Sequence, residues 1–444
     1  MKKRASLFVL WYLRFFAKLQ LAKIKPLIIG VGGASGKTSL SNFIYIILAD
    51  KFKVKQSKGK NSETGIPLDI LGLQLKNYSH REWLRIMILT FVKVLTDWGK
   101  YDIYIAEMGI DSPLEPKNMA YLLKIIRPDI GVLTNISLEH SVYFDVLIKE
   151  ENEAKRQRQL LQLTAEQEGL LLTSLNKEQT AVLNIDDENI RQIQVKIKAK
   201  IMTIAKISQQ ADFKIENVKN FVDKFVLRFK NEGKNYEIQI TNPLPEHFAY
   251  SFLLAIAVAK IAGVSIPDSI KSLENGFSLP PGRMSVFKGI KETVLIDSSY
   301  NNATLGPILD LLSFVADVGR QRRRLGIIGD MRELGTMSKL VHEKVAEKIL
   351  DTLDLAILIG PLSQQYILPI LKKHDFPVYS FPNFTSAKST ILEQIKLKDM
   401  ILIKGSQNTL FLERVVQMLL ANPRDKNKLC RRGEYWDKIR DKNL

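Results

Sequence analysis

The chain has 444 residues, a formal net charge of +18, 45% hydrophobic residues and 25% charged residues, an ordinary composition for a soluble globular protein. This length is too great for one core and indicates two or three domains. The single cysteine, Cys430, excludes a disulfide framework and fits a reducing cytoplasm, and the positive charge suits an anionic substrate, a membrane surface or nucleic acid. No nucleic-acid-binding module is recognisable, so we expect no nucleic-acid partner.

Residues 1–25 form a basic and apolar segment that is too short and too often interrupted by charges to span a bilayer. As a helix, the segment has a basic face made of Lys3, Arg14, Lys18 and Lys25. The opposite face then carries Phe8, Phe15 and Leu19. Two interpretations stay open. The helix lies on anionic lipid, giving peripheral contact at the inner face of the membrane, or it packs on the first domain or on a partner.

A phosphate-binding loop follows this segment. A buried strand predicted over 27–32 runs into a glycine-rich turn, and Lys37-Thr38 opens a helix. Glycines let backbone N–H groups turn inward around an anion, and the helix N-terminus adds a positive dipole. Val31 stands where the general P-loop pattern has its first glycine, which leaves a shorter G-x-x-G-K-T loop. We predict that ATP is bound by Gly33, Ala34, Ser35, Gly36, Lys37, Thr38 and Ser39.

Strands and helices alternate from residue 26, which indicates a mostly parallel sheet covered by helices. Strands are predicted at 27–32, 102–107, 130–134, 181–184 and 201–204. Helices are predicted at 37–50, 82–97, 116–126, 146–163 and 247–262. A period-two pattern around the turn at 231–234 predicts a β-hairpin insert within 212–242.

The alternation restarts after a domain edge at Pro280-Pro281-Gly282-Arg283. Strands are predicted at 293–297, 325–329, 355–359, 377–380 and 400–403. This second unit is Rossmann-like in pattern but has no G-x-G-x-x-G motif. The predicted fold class is α/β, with a P-loop ATPase domain built on a central parallel sheet and a Rossmann-like C-terminal domain. The predicted divisions are an N-terminal helix in 1–25, the ATP-binding domain in 26–280, the C-terminal domain in 281–421 and a basic tail in 422–444.

Polar side chains in the first domain follow the predicted strands, where ligands bind in open α/β sheets. Glu107 ends the strand next to the P-loop strand and is a candidate Mg²⁺ ligand, with a solvated carboxylate as the alternative. His140 follows the next strand, and taken alone it is more often structural or exposed, because Mg²⁺ prefers oxygen ligands. Lys155 taken alone is a solvated surface group, and Asn184 taken alone is a weak signal.

Polar groups in the second unit also follow predicted strands. They belong to three stretches: Asp297–Asn302, Gly329–Gly335 and Lys404–Ser406. We expect these stretches to form a site that faces the P-loop across an interdomain cleft.

Taken in order, these motifs resemble the Mur ligase family of ATP-dependent amide-bond ligases over residues 26–421. The motifs are the P-loop, Glu107-Met108-Gly109, Thr134-Asn135-Ile136 with His140, Ala154-Lys155, Leu183-Asn184-Ile185-Asp186-Asp187, Pro281-Gly282-Arg283, Asp297-Ser298-Ser299-Tyr300-Asn301, Gly329–Gly335 and Lys404-Gly405-Ser406. The resemblance is strongest to the members that add D-alanyl-D-alanine to a UDP-N-acetylmuramoyl-tripeptide in peptidoglycan synthesis. It implies those two compounds as substrates, with ATP and Mg²⁺.

The resemblance also implies a role for each candidate residue. Thr38, Glu107 and His140 match the Mg²⁺ site, and Lys155 matches a lysine that is typically carbamylated. Asn184, Arg283 and Asp297 match positions that contact ATP. Asn301 and Lys404 lie near the incoming substrate. The implied catalytic residues are Lys37, Lys155 and His140, acting on a carboxylate that ATP converts to an acyl phosphate before an amine attacks it.

Three departures leave alternatives open. Only about thirty residues precede the P-loop, too few for the usual UDP-binding domain, so UDP recognition is expected to differ. The stretch His247-Phe248-Ala249-Tyr250-Ser251 lacks both asparagines of the family's motif near the nucleotide base, and Ser298 replaces a second aspartate. The alternatives are a Mur-like ligase with another acceptor, of the poly-amino-acid or folylpolyglutamate type, and a catalytically weakened nucleotide-binding scaffold at the membrane.

Overall fold

The computed structural model describes residues 2–97, 99–137, 142–221, 223–300, 305–332, 334–405 and 410–442. The chain divides into two compact units. The first consists of residues 1–217, 227–238 and 249–277, and the second of residues 218–226, 239–248 and 278–444. Across the described residues, no helix has both the length and the apolar character needed to cross a bilayer.

A nine-stranded sheet in the order β2-β3-β1-β4-β5-β6-β7-β8-β9 organises the first part of the chain. Its strands are β1 (Leu27–Gly32), β2 (Val54–Gln56), β3 (Ile103–Glu107), β4 (Ile130–Leu133), β5 (Thr180–Asn184), β6 (Lys200–Ala205), β7 (Phe213–Asn220), β8 (Phe225–Asn231) and β9 (Lys234–Ile240). The helices are α1 (Lys2–Ile24), α2 (Lys37–Leu48), α3 (Gly65–Ile70), α4 (His80–Thr96), α5 (Met119–Ile125), α6 (Val142–Asp145), α7 (Glu153–Thr173), α8 (Glu188–Gln194), α9 (Phe248–Ile261) and α10 (Ile266–Gly276). Strand β1 runs parallel to both of its neighbours, β3 and β4.

A six-stranded sheet in the order β10-β11-β15-β12-β13-β14 organises the second unit. Its strands are β10 (Ser285–Lys288), β11 (Val294–Ser298), β12 (Arg324–Gly329), β13 (Leu355–Ile359), β14 (Val378–Phe381) and β15 (Met400–Lys404). The helices are α11 (Leu305–Val318), α12 (Ser338–Thr352), α13 (Leu368–Lys373), α14 (Phe384–Gln394), α15 (Glu413–Leu419) and α16 (Glu434–Lys442), with 3₁₀ turns at Ile290–Glu292, Gly335–Met337 and Pro423–Lys428 and a π-turn at Ser363–Ile367. Only β10 is antiparallel to its neighbour; the other pairs are parallel.

Small residues let α7 pack closely on the centre of the first sheet. Gly30 of β1 lies beside Gly131 of β4, and a Cβ atom on Gly30 would lie 3.1 Å from the Leu171 side chain of α7. The alternate residues Ile29 and Val31 are also fully buried, so both faces of β1 are covered. This packing holds α7 beside the end of β1, where the P-loop begins.

The predicted α/β class is confirmed, and every predicted strand is present within one residue of its expected ends. The predicted hairpin insert is three strands, β7 to β9. The helix expected at 146–163 is wrong in both bounds, since α7 spans Glu153–Thr173. The Asn152 side chain accepts a hydrogen bond from the Lys155 N–H and starts the helix there, and an apolar run that ends at Leu172 extends it.

Helix α1 packs on the first unit through a face that the sequence pattern did not single out. Its buried side chains are Leu10, Leu13, Ala17, Gln20 and Leu21. The apolar face predicted from the sequence, with Phe8, Phe15 and Leu19, is exposed. The helix is therefore apolar on two sides, one packed against α3, α4 and α5 and one exposed.

Candidate active site

Two glycines shape the P-loop. Gly33 has φ 112° and Gly36 has φ 77°, both in the left-handed region that favours glycine. A Cβ atom on Gly33 would lie 2.3 Å from the Thr134 hydroxyl oxygen, so only glycine fits there. No side chain caps α2 at Gly36. The N–H groups that begin this helix therefore form a site for an anion.

The end of β4 holds the P-loop in shape. The Ala34 N–H donates to the Asn135 carbonyl at 2.9 Å, and the Ser35 N–H donates to the Asn135 side-chain oxygen at 3.0 Å. The Thr134 hydroxyl donates to the Ser35 carbonyl at 2.6 Å. Thr134 and Asn135 entered the sequence interpretation only as parts of a motif. Their structural role is to fix the loop before a nucleotide arrives.

Helix α7 adds a residue that sequence reasoning missed. The Gly33 N–H donates to the Glu168 carboxylate at 3.0 Å, and Glu168 is buried. Local sequence carries no signal for this residue, because Glu168 follows Glu166 and Gln167 in a polar stretch of α7. Burying a carboxylate is costly without hydrogen-bond donors, so the Gly33 N–H stabilises it here.

The structure brings two predicted metal ligands together. The Thr38 hydroxyl lies 3.1 Å from each carboxylate oxygen of Glu107. Strand register explains this, because Glu107 lies beside Val31 in the β1–β3 pair. A hydroxyl and a carboxylate are hard oxygen donors of the kind that Mg²⁺ prefers, so these residues fit that ion. His140, the third predicted ligand, lies outside the described residues, among which no cluster of three or more metal-ligating side chains is found.

Lys37 and Lys155 lie in different settings. The Lys37 ammonium donates to the Gly33 carbonyl at 2.5 Å and to the Ala34 carbonyl at 2.8 Å, so it lies on the loop that it is predicted to serve. Lys155 lies in the first turn of α7 and is exposed.

Asn184 lies at the carboxyl end of β5, where its side chain accepts a hydrogen bond from the Asp186 N–H at 3.0 Å. The Tyr250 hydroxyl donates to the Asp186 carboxylate at 2.8 Å. Burial alone would raise the pKa of Asp186. Backbone N–H groups of Lys206, Ile207 and Ser208, together with the Tyr250 hydroxyl, lower this pKa below its usual value. Tyr250 lies in the stretch that lacks the expected asparagines, so this pair is a feature that the motif comparison did not predict.

Two predicted ATP contacts in the second unit have buried atoms without partners. The Asp297 carboxylate is fully buried; one oxygen accepts the Ser299 N–H at 3.0 Å, and the other has no hydrogen-bond partner among the described residues. Burial raises the pKa of Asp297 to about 6. The Arg283 Nε atom is also buried without a partner in the described part of the chain. Buried polar atoms are normally paired, and both of these atoms are open to a further hydrogen bond.

Lys404 lies at the carboxyl end of β15, between Ser298 of β11 and Ile328 of β12. It is buried, and its ammonium donates to the Gly405 carbonyl. Ser298 ends β11 beside it, directly after Asp297, so two of the predicted stretches lie at one edge of the sheet. Asn301 lies outside the described residues.

The C-terminal segment contributes a buried arginine that the sequence interpretation left in a basic tail. The Arg431 guanidinium bonds to the Glu413 carboxylate at 2.6 Å, and both side chains are buried. The same guanidinium donates to the Ser299 carbonyl at 3.2 Å and lies 5.3 Å from the centre of the Tyr300 ring. Arg431 therefore supports the loop that follows β11.

Two family models match the chain: "Mur ligase middle domain" over residues 31–259, and "Mur ligase, glutamate ligase domain" over residues 282–407. The first match alone covers more than half of the chain. The fold and the site define a P-loop ligase with two α/β domains. The chain belongs to the Mur ligase family, as the sequence motifs predicted, and is an ATP-dependent ligase.

Named relatives and solved structures agree with this placement. The UDP-N-acetylmuramoyl-tripeptide–D-alanyl-D-alanine ligase of Bacillus subtilis is 23% identical over 93% of this chain and 79% of its own length. That of Rickettsia prowazekii is 25% identical over 86% and 76%. MurF from Thermotoga maritima, solved in complex with ADP, has the same fold, with a TM-score of 0.67 and 18% identity over 97% of this chain and 84% of that one. These matches support a Mur ligase of peptidoglycan synthesis.

Proposed function

We propose that the protein joins D-alanyl-D-alanine to a UDP-N-acetylmuramoyl-tripeptide with ATP. The observation that carries this proposal is the P-loop with Lys37 and the adjoining Thr38–Glu107 pair, whose oxygens lie 3.1 Å apart. This geometry suits phosphoryl transfer from ATP. The acceptor and the amine in this proposal are those in the names of the two relatives given above, which match at least 86% of the chain.

The first step makes an acyl phosphate. An oxygen of the tripeptide carboxylate attacks the γ-phosphorus of ATP, and the bond to the β-phosphate oxygen breaks to release ADP. Lys37 and the N–H groups at the start of α2 offset the charge on the phosphates. Thr38, Glu107 and His140 would hold Mg²⁺, which supplies further charge neutralisation when bound. Asn184, Arg283 and Asp297 bind the nucleotide in this proposal.

The second step forms the amide bond. The amine of D-alanyl-D-alanine attacks the acyl carbon, phosphate leaves from the tetrahedral intermediate, and the nitrogen loses a proton. Asn301 and Lys404 lie near this amine in the proposal. The neutral amine of Lys155 would add CO₂ and lose a proton, and the resulting carbamate would be an anion able to orient Mg²⁺ when that ion is bound. We also propose that the protein is cytoplasmic and makes peripheral contact with the membrane through residues 1–25.

The test measures phosphate release by the purified chain with ATP and Mg²⁺, with and without each substrate. We expect release that requires both substrates, together with a pentapeptide product identified by its mass. Lys37→Ala should lower the rate by roughly 10²–10³-fold, because a positioned charge on the phosphates is lost. Lys339→Ala is the matched control, since this lysine is exposed on α12.

Different outcomes separate the alternatives. Release that requires the UDP-linked acceptor but accepts another amine overturns the assignment of D-alanyl-D-alanine. Release that does not respond to either substrate, with normal ADP binding, favours the scaffold reading instead. Equal rates for Lys37→Ala and wild type would remove the P-loop from the chemistry.

A further inference from the structure

Helices α1 and α4 lie side by side on the first unit. The Tyr12 hydroxyl donates to the Met87 carbonyl at 3.0 Å, and the Lys23 ammonium donates to the Val94 carbonyl at 2.9 Å. The position contacted on α4 advances with the position on α1, so the two helices run in the same direction. Their packed sides share one cluster that includes Leu13 and Ile86.

Each helix exposes an apolar stripe on its other side. On α1 the stripe consists of Leu7, Phe8, Trp11, Phe15 and Leu19. On α4 it consists of Leu84, Ile88, Phe91, Val92 and Leu95. These side chains are between 42% and 61% exposed. Their spacing of three and four residues places each set on one helical face.

Ring contacts join the two stripes into one surface. Phe8 stacks on Trp11, and Trp11 stacks on Phe15, each with 5.8 Å between ring centroids. Phe15 meets Phe16 at 5.3 Å, and Phe16 meets Phe91 of α4 at 6.2 Å. We call the ten exposed residues the α1/α4 surface. An exposed apolar area of this kind on a globular protein marks an interaction site.

The charges beside this surface are mostly positive. Helix α1 contains six basic residues and no acidic one. Helix α4 contains three basic residues and a single acid, Glu82, which is buried and hydrogen-bonded to Arg85 at 2.8 Å. Lys18 of α1 and Lys25, which follows the end of the helix, are exposed. The carboxylate of Asp97, which caps the end of α4, is partly exposed and pairs with Lys93 at 3.5 Å. Basic residues still exceed acids beside this surface, so its partner is both apolar and anionic.

We propose that the α1/α4 surface docks on an anionic lipid bilayer. The aromatic and aliphatic side chains enter the boundary between head groups and acyl chains, and the lysines meet the phosphates. The 23 residues of α1 extend over roughly 35 Å. A second, parallel stripe widens the contact, and a broad, predominantly basic surface matches an anionic lipid layer. Docking by α4 goes beyond contact through residues 1–25 and does not depend on the reaction proposed above.

The test is co-sedimentation of the full chain with lipid vesicles, without substrates. One set contains phosphatidylcholine alone, and the other also contains phosphatidylglycerol. We expect binding to the anionic vesicles and a much weaker response to the neutral ones. The paired variants Trp11→Ser with Phe15→Ser, and Leu84→Ser with Ile88→Ser, should each weaken binding by roughly tenfold or more, because each removes two buried apolar side chains from the contact.

Two further variants sharpen the result. Val195→Ser with Leu397→Ser is the matched control, since both residues are apolar, exposed and outside the surface; it should bind like wild type. Lys18→Gln with Lys25→Gln should reduce the preference for anionic vesicles. ADP titration checks that each variant is folded, so loss of docking is distinguishable from loss of the ligase site.

Three results would overturn the proposal. The wild-type chain remains in the supernatant with both kinds of vesicle, or the α4 variant binds as well as wild type. Alternatively, light scattering finds a dimer that the same serine variants dissociate, which makes the surface a contact between two copies.

Discussion

Asp297 is a residue held where its charge is unfavourable. Its carboxylate is fully buried, accepts one backbone hydrogen bond from Ser299, and has a pKa raised to about 6 by burial. At neutral pH it is nevertheless ionised. Residues that destabilise the free protein in this way are typical of ligand sites, where function and stability conflict.

We therefore predict that Asp297→Asn raises the free energy of unfolding at neutral pH by about 1–3 kcal/mol and lowers ligase activity. A raised folded-state pKa gives stability that is present below pH about 4 and lost as the pH rises through about 6. The Asp297→Asn variant has no titratable group at this position, so it should not lose stability over this pH range. Urea unfolding of both proteins at acidic and neutral pH checks it. A stability difference that does not change between the two pH values would contradict the prediction.

The sequence predicted single residues unevenly, and the reason is physical. Thr38 and Glu107 were predictable because strand ends and helix starts bring such residues to one edge of a sheet. Glu168 was not, because its role depends on which face of α7 lies against Gly33. That choice is made by tertiary packing over Gly30 and Gly131, which local spacing does not encode.

At the scale of elements, a buried ion pair joins three segments of the second unit. Glu413 begins α15, Arg431 belongs to the C-terminal segment, and Ser299 follows β11. The elements themselves were predictable, because buried strands alternate with helices at regular intervals. The ion pair between Glu413 and Arg431 was not predictable. A basic residue near the chain end is most often solvated, and Arg431 is buried only by tertiary packing.

We predict that Arg431→Met lowers the free energy of unfolding by roughly 3–5 kcal/mol, because it removes the guanidinium that pairs with the buried Glu413 carboxylate. Glu413→Leu added to Arg431→Met should restore most of this loss, since an apolar pair of similar volume avoids both charges. Urea unfolding of the two single variants and the double variant measures the coupling. Strictly additive effects would show that the pair does not act as a unit.

At the scale of the whole molecule, the excess of positive charge has a kinetic consequence. The chain carries 65 lysines and arginines against 47 aspartates and glutamates, and its phosphate-binding loop has to capture a polyanion from solution. A field of this sign speeds the encounter with anions and is screened over roughly 10 Å at 0.1 M salt. Nucleotide capture should therefore depend on salt through its association rate.

We predict that the association rate constant for ADP falls several-fold as KCl rises from ~0.05 to ~0.3 M, while the dissociation rate changes much less, because long-range attraction acts on the encounter and short-range contacts act on release. Stopped-flow measurement with a fluorescent ADP analogue tests this. The matched control is adenosine that carries the same fluorophore. It has no phosphates, so its association rate constant should respond weakly to salt. If the association rate constants of both ligands fell equally, the salt effect would come from a change in the protein itself rather than from screening of its electrostatic field. A fall confined to ADP would make the net charge of +18 part of how this ligase collects its substrate.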